Sequence, residues 1–151
     1  MGFALPAAVG AKMAKPDAEV WVVVGDGGFQ MTMCDIATAV ESRADIKFAI
    51  LNNNSLGLVH QLQELFFDET YIASQYTGNP DFVKIAEAYG IRGIRVTKKE
   101  EVADAVQQAM ETAGPVIVDF IVKEDEGLFP FIPSGQSVKE MLEEPASKEI
   151  A

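Results

Sequence analysis

Glu19-Val20-Trp21-Val22-Val23-Val24, followed at once by Gly25-Asp26-Gly27-Gly28, is the stretch that decides the fold. A continuous β-branched and aromatic run without alternation predicts a strand covered on both faces. The glycines let the chain turn tightly behind it. Residues 31–43 then place Met33, Ile36, Ala37 and Val40 at helical spacing, so the unit reads strand, turn, helix.

The pattern repeats on either side. An Ala-rich helix is expected over 4–14, with Pro6 in its first turn. Lys47 to Leu51 is a second buried strand, ending in Asn52-Asn53-Asn54. Residues 55–68 read as a turn and a helix carrying Leu58, Leu62 and Leu65, and 69–78 as a polar-aromatic loop with Tyr71 and Tyr76. Asn79-Pro80 is taken as a helix start, with Asn79 the N-cap and Gly90 the stop. Ile91 to Val96 and Pro115 to Val122 supply two more strands. Between them a helix over 98–113 has Val102, Ala105, Val106, Ala109 and Ala113 on its apolar face. Strands joined by helical crossovers call for an α/β fold, three-layer α/β/α with a mostly parallel sheet. The expected division is a domain over residues 1–122 and an acidic extension over 123–151. Residues 128–133 of that extension are apolar enough to pack on something.

The chain has 151 residues, of which 48% are hydrophobic and 23% charged, so one domain with a core is expected. Twelve basic residues against 23 acidic ones leave a net charge of -11. That excludes a phosphate-tracking nucleic-acid binder and a protein held on an anionic membrane surface. Cys34 is the sole cysteine, which fits a reducing, cytoplasmic setting. No apolar run reaches the roughly 18 residues that a membrane helix needs. The apolar start, Met1 to Pro6, has no basic residue before it and makes a poor signal peptide.

Ligands of parallel sheets sit beyond the carboxyl ends of the strands. Two polar clusters fall there. Gly25-Asp26-Gly27-Gly28 can bring backbone N–H groups close to an anion, but the Asp26 charge repels a bare phosphate. A hard cation between carboxylate and phosphate resolves the conflict, and magnesium takes such oxygen ligands. Asn53, 27 residues on at the end of the next strand, offers a neutral amide oxygen, and Ser55 a backbone carbonyl. A tight turn and an asparagine cap remain the plain structural alternatives. The glycine spacing lacks the third glycine of G-x-G-x-x-G, and no Gly-Lys-Ser/Thr marks a P-loop. A receiver-like domain is disfavoured because Asp26 has no acidic neighbour nearby in sequence.

Gly25-Asp26-Gly27 followed by Asn52-Asn53 resembles the diphosphate-binding motif of thiamine-diphosphate enzymes. Several flanking blocks are similar to the C-terminal domain of acetolactate synthase large subunits. They include Met1–Ala8, Gly28–Thr32, Leu56–Val59, Gln61–Phe66, Pro80–Lys84, Ala86–Gly90 and Phe129–Gly135, within about residues 1–143. The resemblance implies the thiamine-diphosphate-binding fold, with Mg2+ held by Asp26, Asn53 and the backbone oxygen of Ser55. It implies a cofactor site of Met1, Gly25, Asp26, Gly27, Gly28, Asn53, Ser55, Leu56, Gly57 and Leu58. Within it Gly27 and Gly28 would give N–H groups to the diphosphate, Met1 would wedge under the thiazolium ring, and Leu58 would lie over it. Leu62 stands where many relatives carry a tryptophan.

The implied activity is pyruvate decarboxylation and joining of the two-carbon unit to a second 2-keto acid, in branched-chain amino acid biosynthesis. It also implies a partner, a pyrimidine-binding domain supplying the catalytic glutamate, in a homo- or hetero-oligomer. No carboxylate of this chain matches that glutamate, so no catalytic acid or base is named. Two other readings stand beside this one: a diphosphate-binding subunit of a split 2-keto-acid decarboxylase, and a truncated, inactive fragment. His60 is expected at a solvated or cofactor-edge position and Cys34 as a helix-packing thiol. Phe66, Phe67 and Tyr71 are expected as a cover over the site or a contact with a partner.

Overall fold

A computed structural model describes residues 1–124 and 126–143. Four parallel strands form one sheet in the order β1-β2-β4-β3: β1 (Val20–Gly25), β2 (Ile46–Asn52), β3 (Arg92–Val96) and β4 (Val116–Ile121). Six helices accompany them: α1 (Ala4–Ala14), α2 (Asp26–Thr32), α3 (Ile36–Glu41), α4 (Gly57–Phe66), α5 (Phe82–Ala88) and α6 (Val102–Glu111). The connections explain the layers. From β1 to β2 and on to β3 the chain advances across the sheet, and α2, α3 and α5 pack on one face. From β3 to β4 it steps back. A right-handed crossover then puts α6 on the opposite face.

The main core lies on the first face. Phe29, Phe48 and Phe82 are fully buried and meet edge to face, with Leu5, Ile36, Ile46, Ile50 and Ile117 around them. On the second face α6 buries Ala105 and Ala109 against Val96, Val116 and Val118. On β1 Trp21 packs against this cluster, but the cover stops there and Val23 is 67% exposed. The expected α/β architecture is the one observed. Among the described residues no helix is long and apolar enough to cross a membrane.

Several local expectations are corrected. The helix expected over 31–43 begins at Asp26 and is broken by a 3-10 turn at Met33–Asp35. Thr32 leaves helical geometry with φ -136°, and its hydroxyl donates to the Gly2 carbonyl. Met33, Cys34 and Ala37 are exposed, while Ile36 and Ala39 turn inward, so Cys34 is not a packing thiol. The helix at 98–113 is a 3-10 turn, Lys99–Glu101, followed by α6, and Val102 and Ala113 lie outside its buried stripe. Asn79 is not a cap: α5 starts at Phe82, and the Asp81 carboxylate accepts the Val83 and Lys84 N–H groups.

In the extension, the Leu128 backbone bonds to Gln61 through both its N–H and its carbonyl. Phe131 pairs with Leu142, and Pro133 is buried while Leu128 and Ile132 stay exposed. The acidic end beyond residue 143 lies outside the described residues.

Candidate functional site

Because Gly25 pairs with Leu51, the carboxyl ends of β1 and β2 lie side by side. A cavity of about 300 Å³ opens there. It is lined by Met1, Gly25, Asp26, Gly27, Gly28, Asn53, Ser55, Leu56, Gly57 and Leu58, the whole set expected from the sequence. Leu51, Val59, Val122, Lys123 and Glu126, which the sequence does not single out, complete the wall.

Asp26 is 1% exposed. Its Oδ1 accepts the Gly27 N–H at 3.0 Å, and its Oδ2 accepts Asn79 Nδ2 at 2.7 Å. Burial pushes the carboxyl above the usual range, opposed by the Asn79 hydrogen bond and then by backbone N–H groups. The ion pairs among the described residues are Lys47–Asp45, Arg95–Asp81, Arg95–Asp119 and Lys123–Glu126, and none reaches Asp26. A buried carboxylate without a cation is costly, so this position suits a metal ion. The Gly27 N–H, expected for a diphosphate, is here given to Asp26.

The second half of the site is a turn braced from outside. Asn53 Oδ1 accepts the Ser55 N–H at 3.3 Å, and Ser55 Oγ donates to the Ser74 carbonyl at 2.9 Å. Leu56 N–H donates to Ser74, and Tyr76 N–H to Asn54, so the loop over 69–78 holds the turn. A Cβ on Gly57 would lie 2.9 Å from Asn53 Nδ2. One on Gly27 would lie 2.5 Å from Leu56 Cδ2 and 2.7 Å from the Tyr76 hydroxyl. A side chain at either place has to push these groups aside. Burial raises the Tyr76 phenol, and the Asp26 charge adds to it.

One carboxylate, one amide and one backbone carbonyl are hard oxygen donors, suited to magnesium rather than to a thiophilic metal. Among the described residues no cluster of three or more His, Cys, Asp or Glu side chains offers another kind of metal site. Residues 1–120 match the family model described as thiamine pyrophosphate enzyme, C-terminal TPP binding domain. The chain belongs to this family.

Within the family, this TPP-binding domain is similar to several acetolactate synthases. It is 47% identical to the acetolactate synthase of Mycobacterium leprae over 146 residues, covering 93% of this chain and 23% of that protein. It is 41% identical over 143 residues to the acetolactate synthase isozyme 2 large subunit of Escherichia coli, covering 95% and 26%. A solved structure, the thiamine diphosphate-dependent 4-hydroxybenzoylformate decarboxylase of Rhodococcus jostii RHA1, superposes with a TM-score of 0.76 at 29% identity. That match covers 83% of this chain and 24% of the other. The chain thus spans about a quarter of the length of the relatives it matches.

Besides the cavity at the strand ends, the TPP-binding domain has an apolar one of about 630 Å³ on α4 and the loop after it. Val59, Leu62, Phe66, Phe67 and Ile72 line it. The buried position of α4 is not one of its leucines but Gln61. His60 stacks on Tyr71, ring centroids 4.1 Å apart, and its Nε2 lies 3.4 Å from Gln75. Sequence reasoning missed Asn79 and Tyr76 as parts of the site. For Asn79 the available signal was the neighbour Asp81, an equally good cap two residues on, which left the asparagine free for another task.

Proposed function

We propose that this chain is the thiamine diphosphate and Mg2+ binding module of an acetolactate-synthase-like enzyme. The observation that carries the proposal is the buried carboxylate of Asp26, which has no Lys or Arg partner among the described residues, in a glycine-lined cavity at paired strand ends. Asp26, Asn53 and the backbone oxygen of Ser55 would hold the metal. Gly25, Gly28 and Gly57 would leave room for a diphosphate, and Met1 and Leu58 would offer apolar surface to the ring system. When bound, thiamine diphosphate would supply a carbon nucleophile and, in its cationic ring, a sink for the electron pair released by decarboxylation of a 2-keto acid. The substrates of the whole enzyme would be pyruvate and an acceptor 2-keto acid. A pyrimidine-binding domain would bring the glutamate that this chain does not offer.

The alternative, a decarboxylase module, draws on the solved decarboxylase at 29% identity. The acetolactate synthases, at 41–47%, favour the first reading. Calorimetric titration of thiamine diphosphate into the chain, with and without magnesium, tests the module. Binding that requires magnesium and is lost in Asp26→Ala is expected. Equal binding by Asp26→Ala would overturn the metal assignment.

A further inference from the structure

Asn79 lies outside the cavity wall, yet it gives Asp26 its only side-chain hydrogen bond among the described residues. Its Nδ2 donates to Asp26 Oδ2 at 2.7 Å and to Asn52 Oδ1 at 3.0 Å. Its Oδ1 accepts from Gln30 Nε2 at 2.9 Å. The amide is therefore held in one sense: turned over, it would set an acceptor against the carboxylate and a donor against Gln30. We propose that Asn79 is a positioning residue for metal binding, fixing the Asp26 carboxylate in the orientation that faces the cavity. It does so by tying the end of β1 to the end of β2. This inference rests on the reading of Asp26 as a magnesium ligand.

Asn79 is itself set by a closed frame. Asn52 Nδ2 donates to Asp119 Oδ1 at 3.0 Å, and Arg95 Nε donates to Asp119 Oδ2 at 3.2 Å. The other end of the guanidinium donates to Asp81 Oδ1 at 2.6 Å, and Asp81 follows Asn79 by two residues. The chain of bonds from Asn79 through Asn52, Asp119, Arg95 and Asp81 thus returns to Asn79 through the backbone. Each link joins a different element: β2, β4, β3 and the start of α5. With Gly27 N–H on Oδ1 and Asn79 on Oδ2, one acceptor site on each Asp26 oxygen is left for a cation, since a carboxylate has about four. Partners that orient a metal-binding side chain from behind typically change metal affinity about 10- to 100-fold when removed.

The test is calorimetric titration of Mg2+ into the 151-residue chain at saturating thiamine diphosphate. The parent is compared with Asn79→Ala, Asn79→Ser, Asp26→Ala and Ala109→Gly, each also melted without ligand. Serine is too short to reach Asp26 but stays polar toward Gln30, which guards against a misfolded alanine variant. Ala109→Gly weakens α6 on the opposite face and serves as the purely structural control. Both Asn79 variants are expected to raise the magnesium Kd about tenfold or more, while Ala109→Gly melts earlier with unchanged magnesium affinity. Parent-like magnesium binding by the Asn79 variants, with Asp26→Ala still defective, would overturn the role of Asn79 alone. So would an equal loss in Ala109→Gly. Magnesium uptake indistinguishable between the parent and Asp26→Ala would instead overturn the metal reading, and the Asn79 role with it.

Discussion

Asp26 and Asp119 are both buried, at 1% and 0% exposure, yet they are treated differently by their surroundings. Asp119 stands in the middle of β4 with Arg95 on one oxygen and Asn52 on the other. Asp26 stands just past β1 with an amide and a backbone N–H, and no Lys or Arg partner among the described residues. Asp119 has its counter-charge within the chain and so belongs to the architecture. Asp26 has none among the described residues and borders a cavity, which is the basis for proposing that its counter-charge is a bound metal ion. Burial and side-chain hydrogen-bond count are similar at the two sites. The Arg95 guanidinium on Asp119 is the difference between them, and it is why we propose a ligand role for Asp26 and an architectural one for Asp119.

The comparison can be broken most sharply by removing each carboxylate. Asp26→Ala should weaken magnesium-dependent thiamine diphosphate binding about a hundredfold by calorimetry. The same variant should leave the ligand-free chain no less stable, because an uncompensated buried charge is gone. Asp119→Ala should behave in the opposite way. It should cost about 2 kcal/mol in urea unfolding, because Asn52 loses a charged acceptor and Arg95 one of two partners. Equal stability losses in the two variants would erase the distinction. A smaller effect is expected at Gly27→Ala, whose new methyl must displace Leu56 or the Tyr76 ring, at about 1.5 kcal/mol and with weaker cofactor binding.

The smallest effect belongs to the outer end of the Arg95 frame. The Arg95 hydrogen bond holds the Asp81 carboxyl below the usual carboxylate range, with backbone N–H groups of α5 adding to it. A depressed folded-state pKa contributes stability above the unfolded value, near pH 4, that is lost as pH falls through the lower folded value. Asp81→Asn keeps a capping side chain but removes the charge. It should lower stability by about 0.5 kcal/mol at pH 7, and the difference should vanish in strong acid. Thermal melts of both chains across that range would check it.

The cavity was legible in the sequence because both its halves are contiguous: a glycine turn around Asp26, and an asparagine run with its following turn. Strand–turn–helix order then places both at one sheet edge. The frame behind Asp26 was not legible. Asn79, Asp119 and Arg95 sit on three separate elements, and no local pattern announces that they converge. Asn79 was misassigned because an asparagine before a proline has the local chemistry of a cap, while the tertiary contact to Asp26 outcompetes that use. Likewise Gln61 lies in a leucine-bearing helix, and its burial follows from the distant Leu128 backbone, 67 residues away. The break at Met33–Asp35 follows Thr32, whose hydroxyl bonds the Gly2 carbonyl 30 residues away, a contact the helical period cannot report.

Asp26 is buried with no Lys or Arg partner among the described residues, and we propose that a metal ion belongs beside it. Melting curves of the parent and Asp26→Asn, with magnesium and thiamine diphosphate added singly and together, test it most directly. Ligand at a hundred times its Kd stabilises a folded chain by about 2.7 kcal/mol. The parent should show a rise of that order only when both are present, and Asp26→Asn should show none although it melts no lower without ligand. An equal rise in Asp26→Asn, or no rise in the parent, would contradict the claim.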